Sequence, residues 1–135
     1  MRAPVYMLDT NIASYVIKGN RPSVDRMLGR VGPECVCISV ITEAELRFGT
    51  ARRPDSLRIA ERVADFLAIV DVLPWDSAAA KQYAQLRATL ERTGTVMANL
   101  DLMIAAHALA QGITLVTNDH AFRRVEGLTV VDWSD

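Results

Sequence analysis

Cysteine is nearly absent: Cys35 and Cys37 are the whole complement of a 135-residue chain. Two apart in an apolar run, they point to opposite faces of one strand and do not readily bond to each other. Two thiols are also too few for a zinc site, so reduced cysteines packing as small hydrophobes are expected. Histidine is as sparse, with only His107 and His120. Neither stands in a Ser-His or Cys-His pairing: His107 reads as a structural histidine and His120 has no evident partner. No apolar run approaches the ~20 residues of a membrane span. The start, Met1-Arg2-Ala3-Pro4, carries no signal-peptide hydrophobic region, so a cytoplasmic protein is expected. An excess of one charge is missing too. Fifteen basic residues against sixteen acidic ones leave a net charge of −1, so any contact with a polyanion must come from a local basic patch. Lysine is limited to Lys18 and Lys81, leaving arginine as the main cation.

What is present is globular. Half the residues are hydrophobic and 23% are charged, enough for a core in one domain spanning 1–135. Val5 to Leu8 reads as a buried strand that delivers Asp9 to its end. A short helix over 12–18 follows, closed by Gly19 and Asn20, and a second opens at Pro22-Ser23. Cys35 to Ser39 is a strand, and Thr42 with Glu45 forms a capping-box signature for a helix to about Gly49. A helix is expected over 56–69, with Ile59, Val63, Phe66, Leu67 and Val70 forming one apolar stripe to be buried, then a strand over 70–74 cut by Pro74. Asp76 caps the next helix, and Gly112 closes one running from Leu100 to Gln111. Strands over 113–116 and 128–131 complete the chain. Strands alternating with helices, without repeats, mean an α/β three-layer domain with a mostly parallel sheet.

Parallel strands end on one side of such a sheet, where sites form. Asp9 and Asp119 each follow an apolar strand and share that edge, although an aspartate there also serves as a helix cap or turn residue. Asp101 lies just before Ile104 and Ala105 on the apolar stripe of its helix. A buried carboxylate must be capped, paired or coordinated. Glu43 follows the strand ending at Ser39 in the first helical turn, with Glu45 as a rival that periodicity does not separate from it. Carboxylates gathered on one edge repel each other and point to a hard divalent cation such as Mg²⁺. Such an ion lowers the pKa of bound water and neutralises charge on a phosphoryl centre.

The segments Met7-Leu8-Asp9-Thr10-Asn11, Ser39 to Leu46 with Thr42-Glu43-Ala44-Glu45, Leu100 to Ala108 and Leu115-Val116-Thr117-Asn118-Asp119 carry a resemblance in order and spacing. They resemble the successive motifs of PIN domains, and among these the VapC toxins of toxin–antitoxin pairs. The terminal Gly127-Leu128 and Asp132-Trp133 fit the same group. The resemblance implies a PIN-like fold with a mostly parallel sheet of about five short strands flanked by helices. It implies a toxin that is an Mg²⁺- or Mn²⁺-dependent endoribonuclease, neutralised by a cognate antitoxin whose tail covers the site. A homodimer or a toxin–antitoxin hetero-oligomer is implied as well. Carried over by position, Asp9 and Asp101 are metal ligands, and Glu43 rather than Glu45 is the motif acid. Asp119 is the fourth acid, with Thr10, Asn11, Thr117 and Asn118 as polar support. The family's usual glycine three residues before the third acid is Ala98 here.

Lys18, Arg21, Arg47, Arg52 and Arg53 are the basic residues placed to hold an RNA backbone. A groove for the antitoxin is expected among the helices carrying Tyr15, Leu46, Phe48 and Phe66. Two other readings stand beside this one. A strand ending in Asp-x-Asn faintly resembles the nucleophile loop of haloacid-dehalogenase phosphatases, but Asn11 occupies the place of their second acid. The other is a module that binds RNA or a partner without cutting, and four acids in register speak against it.

Overall fold

The structure, a computed structural model, describes residues 4–135. Met1, Arg2 and Ala3, part of the expectation about the chain's start, lie outside the described residues. Five strands form one sheet: β1 (Tyr6–Leu8), β2 (Val36–Ser39), β3 (Asp71–Leu73), β4 (Thr114–Val116) and β5 (Val130–Val131). Their order is β3-β2-β1-β4-β5, and every pairing is parallel. The mostly parallel sheet of about five strands is therefore wholly parallel.

Among the described residues six α-helices surround it: α1 (Thr10–Lys18), α2 (Pro22–Val31), α3 (Val40–Ala51), α4 (Leu57–Ile69), α5 (Ser77–Arg92) and α6 (Asn99–Gln111). Period-two alternation in the strands divides the core into two layers. Leu8, Ile38 and Val116, in register across β1, β2 and β4, face α1, α2 and α4 through Ile12, Val24, Val63 and Phe66. Met7, Cys37 and Leu115, one step along, face α5 and α6 through Leu86, Leu90, Ala105 and Ala108. Helix α3 belongs to both layers, since Leu46 joins the first cluster while Ile41 packs against the second. It lies across the carboxyl edge of the sheet.

Local chemistry explains most boundaries. The Asp9 carboxylate caps α1 by accepting from the Ile12 amide at 2.9 Å, and Gly19 ends that helix at φ 65°, where a side chain would be strained. Arg62 of α4 donates to the carbonyls of Ile17 and Lys18, tying down the same end. Asp76 caps α5 through the Ala79 amide, as its position implied. Gly112 closes α6 at φ 66°.

Three expectations need correction. Helix α3 begins at Val40, because Ser39 accepts from the Ile41 amide at 3.1 Å and is the cap in place of Thr42, which is buried. Cys35 sits in a 3-10 turn (Pro33–Cys35), so only Cys37 belongs to the strand; both are buried and they are not joined. Ile59, expected on the buried stripe of α4, is 37% exposed, because the helix turns that position toward an open cavity.

Candidate active site

Residues one step beyond the paired strands stand side by side at the carboxyl edge. Since Leu8 pairs with Ile38 and Val116, the next row is Ser39, Asp9 and Thr117. Asp9 is buried, 5% exposed, at the centre of that row. One carboxylate oxygen accepts the Ile12 amide and the other accepts the Thr117 hydroxyl at 2.5 Å. Burial nevertheless pushes its pKa up to about 6; these two hydrogen bonds work against the shift, and the charges of Asp101 and Asp119 add to it. Asp101, half-buried in the first turn of α6, is also raised, first by burial and then by Asp119 and Glu45. Asp119 is exposed and caps the 3-10 turn His120–Arg124 through the Ala121 amide at 2.9 Å. Three of the four expected acids therefore share one electrostatic neighbourhood.

The fourth does not. Glu43 turns outward and pairs with Arg47 at 2.7 Å, one helical turn on. Glu45 turns inward: its Oε1 accepts the Thr10 hydroxyl at 2.6 Å, and its charge acts on Asp101. The resemblance carried the motif acid to Glu43; the structure brings Glu45, and not Glu43, to the other acids. On α3, Thr42 and Glu45 share a face three residues apart, while Glu43 and Arg47, four apart, share another. The signal was available, since Glu43 and Arg47 have the spacing of a surface ion pair. Thr10 accordingly supports Glu45 rather than Asp9. Asn11 is exposed on the cavity wall. Asn118 donates to the Tyr15 hydroxyl at 3.0 Å.

Residues 6–128 match the PIN domain family. Over 130 residues the chain is 39% identical to the tRNA(fMet)-specific endonuclease VapC of Shigella flexneri, covering 96% of this chain and 98% of that one. It is 33% identical over 131 residues to ribonuclease VapC2 of Rickettsia felis, covering 96% and 98%. The chain is a PIN domain of the VapC ribonuclease family. The fold agrees: the DNA-bound VapBC of Salmonella typhimurium superposes with a TM-score of 0.91 at 34% identity, covering 97% of this chain and 99% of that one. VapBC2 of Rickettsia felis, bound to a DNA fragment from the promoter, gives 0.88 at 32% identity over 95% and 98%.

A cavity of about 290 Å³ opens beside Glu45, between α1, α3 and α4. Lys18, Arg52 and Arg53 stand on its rim with Thr10, Glu45 and Leu46. The other two expected basic residues lie elsewhere: Arg47 is held by Glu43, and Arg21 lies over the Tyr15 ring at 4.3 Å. Tyr15 therefore belongs with Asn118 and Arg21 and does not line the cavity. Phe48 is 64% exposed with Arg52 over its ring, and Phe66 is in the core. Ala98 precedes α6 at φ −60°, a conformation open to any residue, and its carbonyl accepts the Leu102 amide at 2.9 Å. Alanine is therefore unstrained at this position. No helix among the described residues is long and apolar enough to cross a membrane.

The acids suit a divalent cation by charge and by donor type. Oxygen donors whose charge is disfavoured by burial and by each other gain from a hard cation. Among the described residues no three His, Cys, Asp or Glu side chains converge as a ready-made cage.

Proposed function

We propose that this chain is the toxin of a toxin–antitoxin pair and an Mg²⁺-dependent endoribonuclease of the cytoplasm, with Mn²⁺ as a substitute. The supporting observation is that Asp9, Asp101, Asp119 and Glu45 share one electrostatic neighbourhood at the sheet edge: after burial, the charges of Asp101 and Asp119 raise the proton affinity of Asp9, and those of Asp119 and Glu45 raise that of Asp101. Asp9 and Asp101 would hold the cation, with Asp119 near enough to share its charge. Bound there, the ion would lower the pKa of a water and neutralise charge on the scissile phosphate. Glu45, held by Thr10, is placed to orient the attacking water and take its proton. Thr117 keeps the Asp9 carboxylate aimed, so that ligand geometry is set before the metal arrives. Lys18, Arg52 and Arg53 offer the phosphate backbone three cations on the cavity rim. The apolar part of that cavity, with Leu46, Ile59 and Val63, gives the antitoxin's tail a groove next to the acids. Relatives named VapBC, in complex, support the pairing.

The test compares Glu45→Gln with Glu43→Gln on RNA with Mg²⁺. Loss of about 100-fold in kcat is expected for Glu45→Gln, with Glu43→Gln near the parent. The reverse order would return the role to Glu43. Cleavage that survives EDTA would remove the metal.

A further inference from the structure

One buried polar pair is left unused by this chemistry. Ser39 ends β2 directly beside Asp9, and its Oγ accepts the Ile41 amide at 3.1 Å to start α3. The same oxygen lies 2.7 Å from Nδ1 of His107, a fully buried ring in the middle of α6. With the helix amide already donating to Oγ, the hydroxyl proton is free to go to Nδ1, which places the ring proton on Nε2. Nε2 is buried with no partner in bonding geometry, while the Pro74 backbone acts on the ring to favour its protonation, against the larger effect of burial. The other tautomer would leave both the hydroxyl proton and the buried Nε2 lone pair unpaired. Trp75 pins the same loop to α6 by donating to the Met103 carbonyl at 3.0 Å.

The pair joins the two helices that carry the facing acids. Glu45 lies six residues after Ser39 along α3, and Asp101 six before His107 along α6. Each acid is then ~9 Å of rigid helix from the junction. We propose that His107, as the neutral Nε2–H tautomer, is a positioning residue: its bond to Ser39 sets the spacing of Asp101 and Glu45, and with it the affinity of the acidic edge for a divalent cation. The proposal rests on the reading that these acids hold such a cation.

Calorimetric titration of Mn²⁺ into the full chain tests it, alongside melting temperatures without metal. His107→Leu fills the space but offers no acceptor, so Mn²⁺ affinity should fall about tenfold while the melting temperature stays close to the parent's. His107→Asn keeps an acceptor near the place of Nδ1 and leaves a void, so the melting temperature should fall while Mn²⁺ affinity holds. A residue with a merely structural role would make affinity follow stability. That outcome, or unchanged affinity in His107→Leu, overturns the proposal. If His107→Leu does not fold, Ser39→Ala and Ser39→Thr remove and keep the hydroxyl: weak Mn²⁺ binding in the first alone supports the proposal, and equal binding overturns it. Parent protein that takes up no Mn²⁺ overturns the metal reading instead.

Discussion

At the scale of single residues the site is a set of carboxylates held where they do not want to be charged. Asp9 shows the cost. Its pKa of about 6 in the fold stands above the ordinary 3.8, chiefly because it is buried. In metal-free protein the folded state therefore holds the proton more tightly than the unfolded chain does. Stability from this group is full below pH 4 and is lost as pH rises through 6, by about 3 kcal/mol in all. Asp9→Asn keeps the cap on α1 and removes the charge. In EDTA at pH 7.5 it should melt higher than the parent, and the gap should close toward pH 4; a melting series over pH checks both. Asp9 and Asp101 could be picked from sequence because a carboxylate at a strand end or at the head of an apolar stripe is costly without a purpose. Between Glu43 and Glu45 the separating signal was the i,i+4 spacing of Glu43 and Arg47, since two acids two residues apart differ only in which way the helix turns them.

At the scale of elements the start of α3 differs from the capping-box reading. Thr42 with Glu45 looks like a capping box, but Ser39 is reached first and also meets His107 from another helix, a contact no local pattern records. The strands and helices were legible because alternation and caps are local. The Ser39–His107 junction and the Asn118–Tyr15–Arg21 cluster were not, since they join segments far apart in sequence. Thr10 makes the same point from α1: its hydroxyl reaches across to Glu45 on α3. Thr10→Val is nearly isosteric and breaks that link. It should cost about 1 kcal/mol in stability and lower kcat with little change in KM, because substrate contacts are untouched. A larger effect on KM would make Thr10 a binding residue. Chemical denaturation and steady-state cleavage of one RNA measure the two quantities together.

At the scale of the whole molecule a protein of net charge −1 has to draw in a polyanion through one acidic edge. The basic residues do not form a broad field; Lys18, Arg52 and Arg53 stand on one rim, next to the carboxylates that would repel RNA. Cation binding and RNA binding are then coupled, because each bound divalent ion removes two charges from the face that the phosphates approach. The same ion relieves the repulsion that burial has built into the fold. At a hundred times its dissociation constant it should stabilise the chain by about 2.7 kcal/mol, provided the unfolded chain does not bind it. For a domain of this size that corresponds to a rise of roughly 10 °C in Tm. Asp9→Asn, already relieved of its charge, should show a much smaller rise under the same Mg²⁺ or Mn²⁺. A melting temperature in the parent that ignores divalent ions, at concentrations that support cleavage, would separate the metal from these carboxylates. A rise of equal size in parent and Asp9→Asn would move the ion to Asp101 and Asp119 and leave Asp9 as a cap for α1.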